Sequence, residues 1–116
     1  MREAVAPNAP QSIEIVDEAG ADRETIGVDD RVLLVIENDL GFARMIADAA
    51  HEHGFKAVIT GFGAAGLSLA EQYLPAAVTL DISLPDISGW RVLERLKHSA
   101  RTRHIPVYVI STEESR

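Results

Sequence analysis

Residues 32–39 read VLLVIEND: five branched apolar side chains in succession, then two acids flanking an amide. A strand with one wet face alternates apolar and polar residues, whereas an unbroken apolar run suits a strand covered on both faces. The run therefore predicts an inner strand over 32–36, with Glu37, Asn38 and Asp39 at its carboxyl end. The sequence beyond it predicts a helix. Asn38 or Asp39 would cap it, Phe42, Met45, Ile46 and Ala49 would form its buried stripe, and Gly54 would lie just past its end.

Outward from this stretch the same unit recurs. The pattern predicts a strand over 56–60, a helix over about 63–74 stopped by Pro75, a strand over 76–80, a helix over about 88–98 and a strand over 106–110. Strands alternating with amphipathic helices imply right-handed crossovers and a parallel sheet with helices on both faces, so the expected class is doubly wound α/β. In such sheets the working groups gather beyond the carboxyl ends of the strands, where the winding reverses.

The chain has 116 residues, enough for one cored domain and too few for two. It has no cysteine, which excludes disulfides, a thiol nucleophile and cysteine-ligated metal. No apolar run approaches the roughly 18 residues of a membrane span, and the opening MREAVAPNAPQ lacks the apolar core of a signal peptide. A cytoplasmic setting is the expectation. The net charge of −7 is unevenly spread. Residues 1–30 carry eight acids against two arginines, while residues 31–116 carry ten acids against nine bases. Residues 1–30 are thus expected to be an acidic linker or tail, with Ser12–Val16 as a short strand within it, and 31–116 the domain. A nearly neutral domain offers no electrostatic footprint for nucleic acid or an anionic membrane.

Residues 61–66, GFGAAG, match the G-x-G-x-x-G spacing of a dinucleotide-binding turn, and Asp81 lies 20 residues beyond Gly61. That reading leaves the upstream strand and Glu37-Asn38-Asp39 without a role, and about 35 residues after Asp81 give little room for a second mononucleotide half. The simpler expectation is that Gly61–Gly66 let the second helix start tightly after its strand and pack close to the sheet.

The strand ends supply a more coherent constellation. Glu37 and Asn38 close the first strand, Asp81 the third, and Ser111 and Thr112 the fourth. Two carboxylates and an amide oxygen form a hard oxygen set suited to Mg²⁺. A metal there would screen Asp81 as an anionic phosphoryl group approached, so that Asp81 could act as a nucleophile and form an aspartyl phosphate. Ser111 or Thr112 would then donate a hydrogen bond to a phosphoryl oxygen. Asp86, after Pro85, reads as a turn residue. Trp90, Val92, Leu93 and Leu96 read mainly as a helix stripe, with Trp90 partly exposed near its start. His51 and His53 are two apart and share no helix face, so they form no metal pair.

Three ordered segments carry a resemblance. VLLVIENDLGFARMI resembles the opening of a response-regulator receiver domain, LDISLPDISGWRVLERLK its phosphoacceptor segment, and HIPVYVIST its fourth strand. The separations are 44 residues from Glu37 to Asp81 and 30 from Asp81 to Ser111. The resemblance implies a flavodoxin-like receiver fold and a two-component phosphorelay. In that family pattern Asp81 takes a phosphoryl group from a histidine kinase or histidine phosphotransfer protein, Glu37 and Asn38 occupy the acidic-pair positions, and Ser111 is the switch hydroxyl. Leu84-Pro85 and Gly89 match the family's loop after the phosphoacceptor. Asn38 keeps an oxygen but lacks the charge of an acid, so weaker Mg²⁺ binding is expected. The chain ends at Arg116, before the family's fifth strand and helix and the lysine that contacts the phosphoryl group. Neither Lys56 nor Lys97 matches that lysine. The expectation is a receiver cut from a longer signalling chain, such as a hybrid histidine kinase, with Val107–Ile110 left as an edge, so that the chain either self-associates through it or is only marginally stable. The alternative is a degenerate receiver that works only as a protein-interaction module.

Overall fold

The computed structural model describes residues 26, 27 and 29–111. The strand expected over Ser12–Val16 lies outside them. Seven elements follow in order: β1 (Val32–Ile36), α1 (Leu40–Glu52), β2 (Lys56–Thr60), α2 (Gly63–Tyr73), β3 (Ala77–Asp81), α3 (Gly89–Lys97) and β4 (Val107–Ile110). All strand pairings are parallel, in the order β2-β1-β3-β4. The order reverses direction at β1, and the helices divide accordingly between the two faces. The doubly wound α/β class expected from the sequence is thus observed, as four strands and three helices among the described residues.

Alternation along β1 explains its unbroken apolar sequence. Val32, Leu34 and Ile36 join Val58, Val78 and Leu80 beneath Leu69 and Ala70 of α2 and Val92 and Leu96 of α3. Val35 points the other way and joins Ala57 and Ile59 beneath Ala43 and Ala47 of α1. Every one of these side chains is almost fully removed from water, and that burial is the main stabilising term of the sheet.

The stripe expected on α1 is corrected. Ala43, Ala47 and Ala50 are buried and Ile46 is half-buried, while Ala49 is exposed and Met45 retains 59% of its surface. Helical periodicity accommodates both stripes, which differ by a rotation of one residue. The alanines win because small side chains let the helix approach the Val35, Ala57 and Ile59 surface closely.

Helix ends follow local chemistry. Asp39, not Asn38, caps α1 by accepting from the Phe42 N–H at 3.1 Å, and Ser88 caps α3 by accepting from Arg91 at 3.2 Å. Helix α2 ends at Leu74, which sits in the left-handed region with φ 46°, just before Pro75. The buried Thr102 hydroxyl donates to the Leu96 carbonyl at 2.7 Å and closes the end of α3. Val92 and Leu96 are buried as the α3 pattern implies, and Trp90 on the first turn is 56% exposed.

Candidate functional site

Strand register brings the predicted residues together. Ile36 pairs with Leu80, and Leu80 with Val109, so Glu37 and Asp81 each stand one residue past a shared row, at the carboxyl ends of neighbouring strands. Asp81 pairs with Ile110, which puts Ser111 one residue beyond that partner, exposed at the same end of the sheet. Thr112 lies outside the described residues. The Glu37 N–H donates to the Thr60 carbonyl at 2.9 Å and fastens this crossover to the end of β2.

Both carboxylates are buried, Glu37 with 1% and Asp81 with 4% of its surface exposed. Backbone N–H groups orient them. Asp81 accepts from Asn38 N–H through Oδ2 at 3.3 Å and from Ser83 N–H through Oδ1 at 3.1 Å. Glu37 Oε2 accepts from the Asp39 N–H at 3.1 Å. Burial pushes the Glu37 carboxyl up to about 7; the Asp39 N–H works against this, while the hydrogen bond and charge of Asp81 and the charge of Asp39 add to it.

Asn38 takes part in two ways that the sequence left open. Its backbone N–H holds Asp81, while its side chain is exposed and the capping role is taken by Asp39. Among the described residues no three His, Cys, Asp or Glu side chains form a metal-binding group. A cation would thus rest on two carboxylates, completed by neutral oxygens and water, which is the pattern Mg²⁺ accepts. Lys97 is committed elsewhere, donating to the Arg103 and Ile105 carbonyls at 3.0 and 2.8 Å.

Two features lay beyond sequence reasoning. Gly89 starts α3 where a Cβ would collide with the Asp81 carbonyl and lie 2.7 Å from Ile82 Cα, so only glycine lets α3 press against the back of the Asp81 peptide. Asp86 does more than make a turn. Its Oδ1 and Oδ2 accept from the Gly63 and Ala64 N–H groups at 2.8 and 2.9 Å. A carboxylate of the chain thus fills the helix N-terminus that a dinucleotide pyrophosphate would need. At Gly66 a Cβ would stand 2.5 Å from Ile36 Cδ1. Gly66 thus serves close packing of α2 on the sheet, and Gly63 close packing against Ile87 and Val92, while a Cβ on Gly61 would meet only ordinary contacts.

A family model for the response regulator receiver domain matches residues 33–116. The chain belongs to the response regulator receiver domain family. As a receiver it is 32% identical over 80 residues to the polar-differentiation response regulator DivK of Brucella ovis, an alignment covering 69% of this chain and 64% of that protein. The chain thus spans a little under two thirds of the length of the curated relatives it matches. A sensor protein from Polaromonas sp. JS666 superposes with a TM-score of 0.67 at 28% identity, covering 70% of this chain and 65% of that one. The receiver fold also recurs at 18% identity, with a TM-score of 0.65 over 69% of this chain and 66% of the other, in the receiver domain of sensor histidine kinase PA1611 from Pseudomonas aeruginosa PAO1. That structure has a magnesium ion coordinated in the active site cleft. The receiver expected from three sequence segments is the receiver found. No helix among the described residues is long and apolar enough to cross a membrane.

Proposed function

We propose that this receiver accepts a phosphoryl group on Asp81 from a phosphohistidine, carried by a histidine kinase or a histidine phosphotransfer protein in the cytoplasm. One observation carries the reading: Asp81 is buried at a strand end, aimed by the N–H groups of Asn38 and Ser83, and set beside a second buried carboxylate, Glu37, whose proton is held to about pH 7. Two buried carboxylates and one proton make a cation site awaiting a charge partner. Glu37 and Asp81 would hold Mg²⁺, with Asn38 contributing an uncharged oxygen. The ion would supply the positive charge that lets two anions meet.

The residues themselves perform the transfer. A carboxylate oxygen of Asp81 attacks the phosphorus, a P–O bond forms, and the P–N bond breaks with its electron pair leaving on the donor imidazole. The Ser83 N–H holds Asp81 Oδ1 and thereby presents the attacking carboxylate. The Ser111 hydroxyl, one residue beyond the β3–β4 pairing of Asp81, donates to an oxygen of the arriving phosphoryl group, with Thr112 next to it in sequence. In this reading residues 1–30 serve as a linker and 31–116 as the receiver.

Incubation with acetyl phosphate or a phosphohistidine-bearing kinase and Mg²⁺, followed by intact mass measurement, tests this. A phosphoryl adduct on the wild type and none on Asp81→Asn is the expected outcome. A wild type that gains no mass from either donor would replace the reading with that of a degenerate interaction module, which the uncharged Asn38 favours.

A further inference from the structure

The loop that leaves Asp81 is fixed at three points. At its start, Ser83 N–H donates to Asp81 Oδ1. At its end, Gly89 N–H donates to the Ile82 carbonyl at 2.8 Å, and α3 abuts the Asp81 peptide. Between them, Asp86 reaches a different helix and accepts from two successive N–H groups of α2. Helix α2 has no cap of its own, because Phe62 stands at its N-cap position without a side-chain acceptor. The apolar neighbours of this contact are equally close: a Cβ on Gly63 would lie 2.6 Å from Ile87 Cγ1 and 2.8 Å from Val92 Cγ2. Burial opposes the charge on Asp86, yet the N–H groups of Ala64, Gly63, Ile87 and Asp86 outweigh it and hold the carboxyl below its ordinary range. The carboxylate is therefore charged at neutral pH and lies at the positive end of the α2 dipole.

We propose that Asp86 is a positioning residue, a clamp between the loop and α2 that fixes the Ser83 N–H and through it the orientation of the Asp81 carboxylate. The kinetic consequence rests on the phosphoryl-acceptor reading of Asp81; the structural consequence at Ser83 does not. Without the clamp, the loop keeps its ties at Ser83 and Gly89 but loses the tie to α2 between them, and it gains freedom next to the point where the nucleophile is presented.

The test uses the full chain with Asp86→Ala, Asp86→Asn and Ser88→Ala. Ser88→Ala removes the α3 cap from the same loop and serves as a control for general loosening. Amide hydrogen exchange at Ser83 and Ala64 is measured in each, together with acetyl phosphate labelling resolved into its saturating rate and half-saturating concentration. Asp86→Ala removes two charge-assisted hydrogen bonds, from Gly63 and Ala64, and should raise Ala64 exchange by about tenfold or more, raise Ser83 exchange with it, and slow labelling at saturation with little change in half-saturation. Asp86→Asn keeps one acceptor oxygen and should restore part of both effects, and it provides the readout should the alanine variant fold poorly. Ser88→Ala should leave Ser83 exchange unchanged. Unchanged Ser83 exchange in both Asp86 variants, or an equal rise in Ser88→Ala, would overturn the clamp. A wild type that takes up no phosphoryl group overturns the acceptor reading alone, because the exchange comparison still decides the clamp.

Discussion

Glu37→Gln in metal-free buffer should stabilise the domain at alkaline pH. The folded Glu37 carboxyl titrates near 7, against 4.5 for an ordinary glutamate, and it is 1% exposed. A raised acid pKa means that the folded state holds a proton which the unfolded state has released between those two values. Stability from this group is therefore complete below pH 4.5, falls as pH rises toward 7, and is lost above it. At about 1.4 kcal/mol per pH unit, the loss amounts to about 3 kcal/mol. Glutamine is neutral throughout and keeps an oxygen for the Asp39 N–H. It should match the wild type near pH 4.5 and exceed it by about 3 kcal/mol at pH 8. Urea unfolding followed by circular dichroism at pH 5, 6, 7 and 8 in EDTA measures this, and the difference between the two proteins reports Glu37 together with its interaction with Asp81, because the remaining groups titrate in both. Adding Mg²⁺ at pH 8 should return stability to the wild type and not to the variant. A variant destabilised equally at pH 5 and pH 8 would show that the burial of Glu37 carries no charge penalty and refute the reasoning.

Asn38→Asp adds a carboxylate on the residue that follows Glu37 and whose N–H holds Asp81, and should tighten Mg²⁺ binding by about tenfold or more if that side chain turns to the site; calorimetric titration that finds equal affinities would argue against a role for that side chain. Leu74→Gly relieves a left-handed conformation at a half-exposed position and should stabilise the domain by about 0.5–1 kcal/mol in a chemical melt. Gly66→Ala drives a methyl group against the fully buried Ile36 and should cost about 1–3 kcal/mol in the same assay. Strand β4 is an edge of the described sheet and carries Tyr108 with 59% of its surface exposed, so the chain should self-associate through that edge as concentration rises; sedimentation that shows one monomeric species at all concentrations would exclude this.

The sequence by itself determined the strands and what stands at their ends. VLLVI and KAVIT fall on β1 and β2 residue for residue: VLLVI because a strand covered on both faces needs an unbroken apolar run, and KAVIT because its β-prone Ala57-Val58-Ile59 centre is bounded by Gly54 and Gly61, and both signals are local. The same logic placed Glu37 and Asp81 at carboxyl ends, and parallel topology did the rest. Tertiary structure decided whatever depends on a distant neighbour. The face of α1 that meets the sheet was settled by the fit of Ala43 and Ala47 to Ala57 and Ile59, since a helical period does not distinguish stripes one residue apart. The cap of α1 fell to Asp39, which left Asn38 to hold Asp81 through its backbone. GFGAAG lost its likeness to a phosphate-binding turn when Asp86, 23 residues beyond Gly63, filled the start of α2. The raised pKa of Glu37 likewise comes from burial and from the charges of Asp81 and Asp39. Spacing along the chain carries neither burial nor the distance between charges, and both arise only when the strand ends converge.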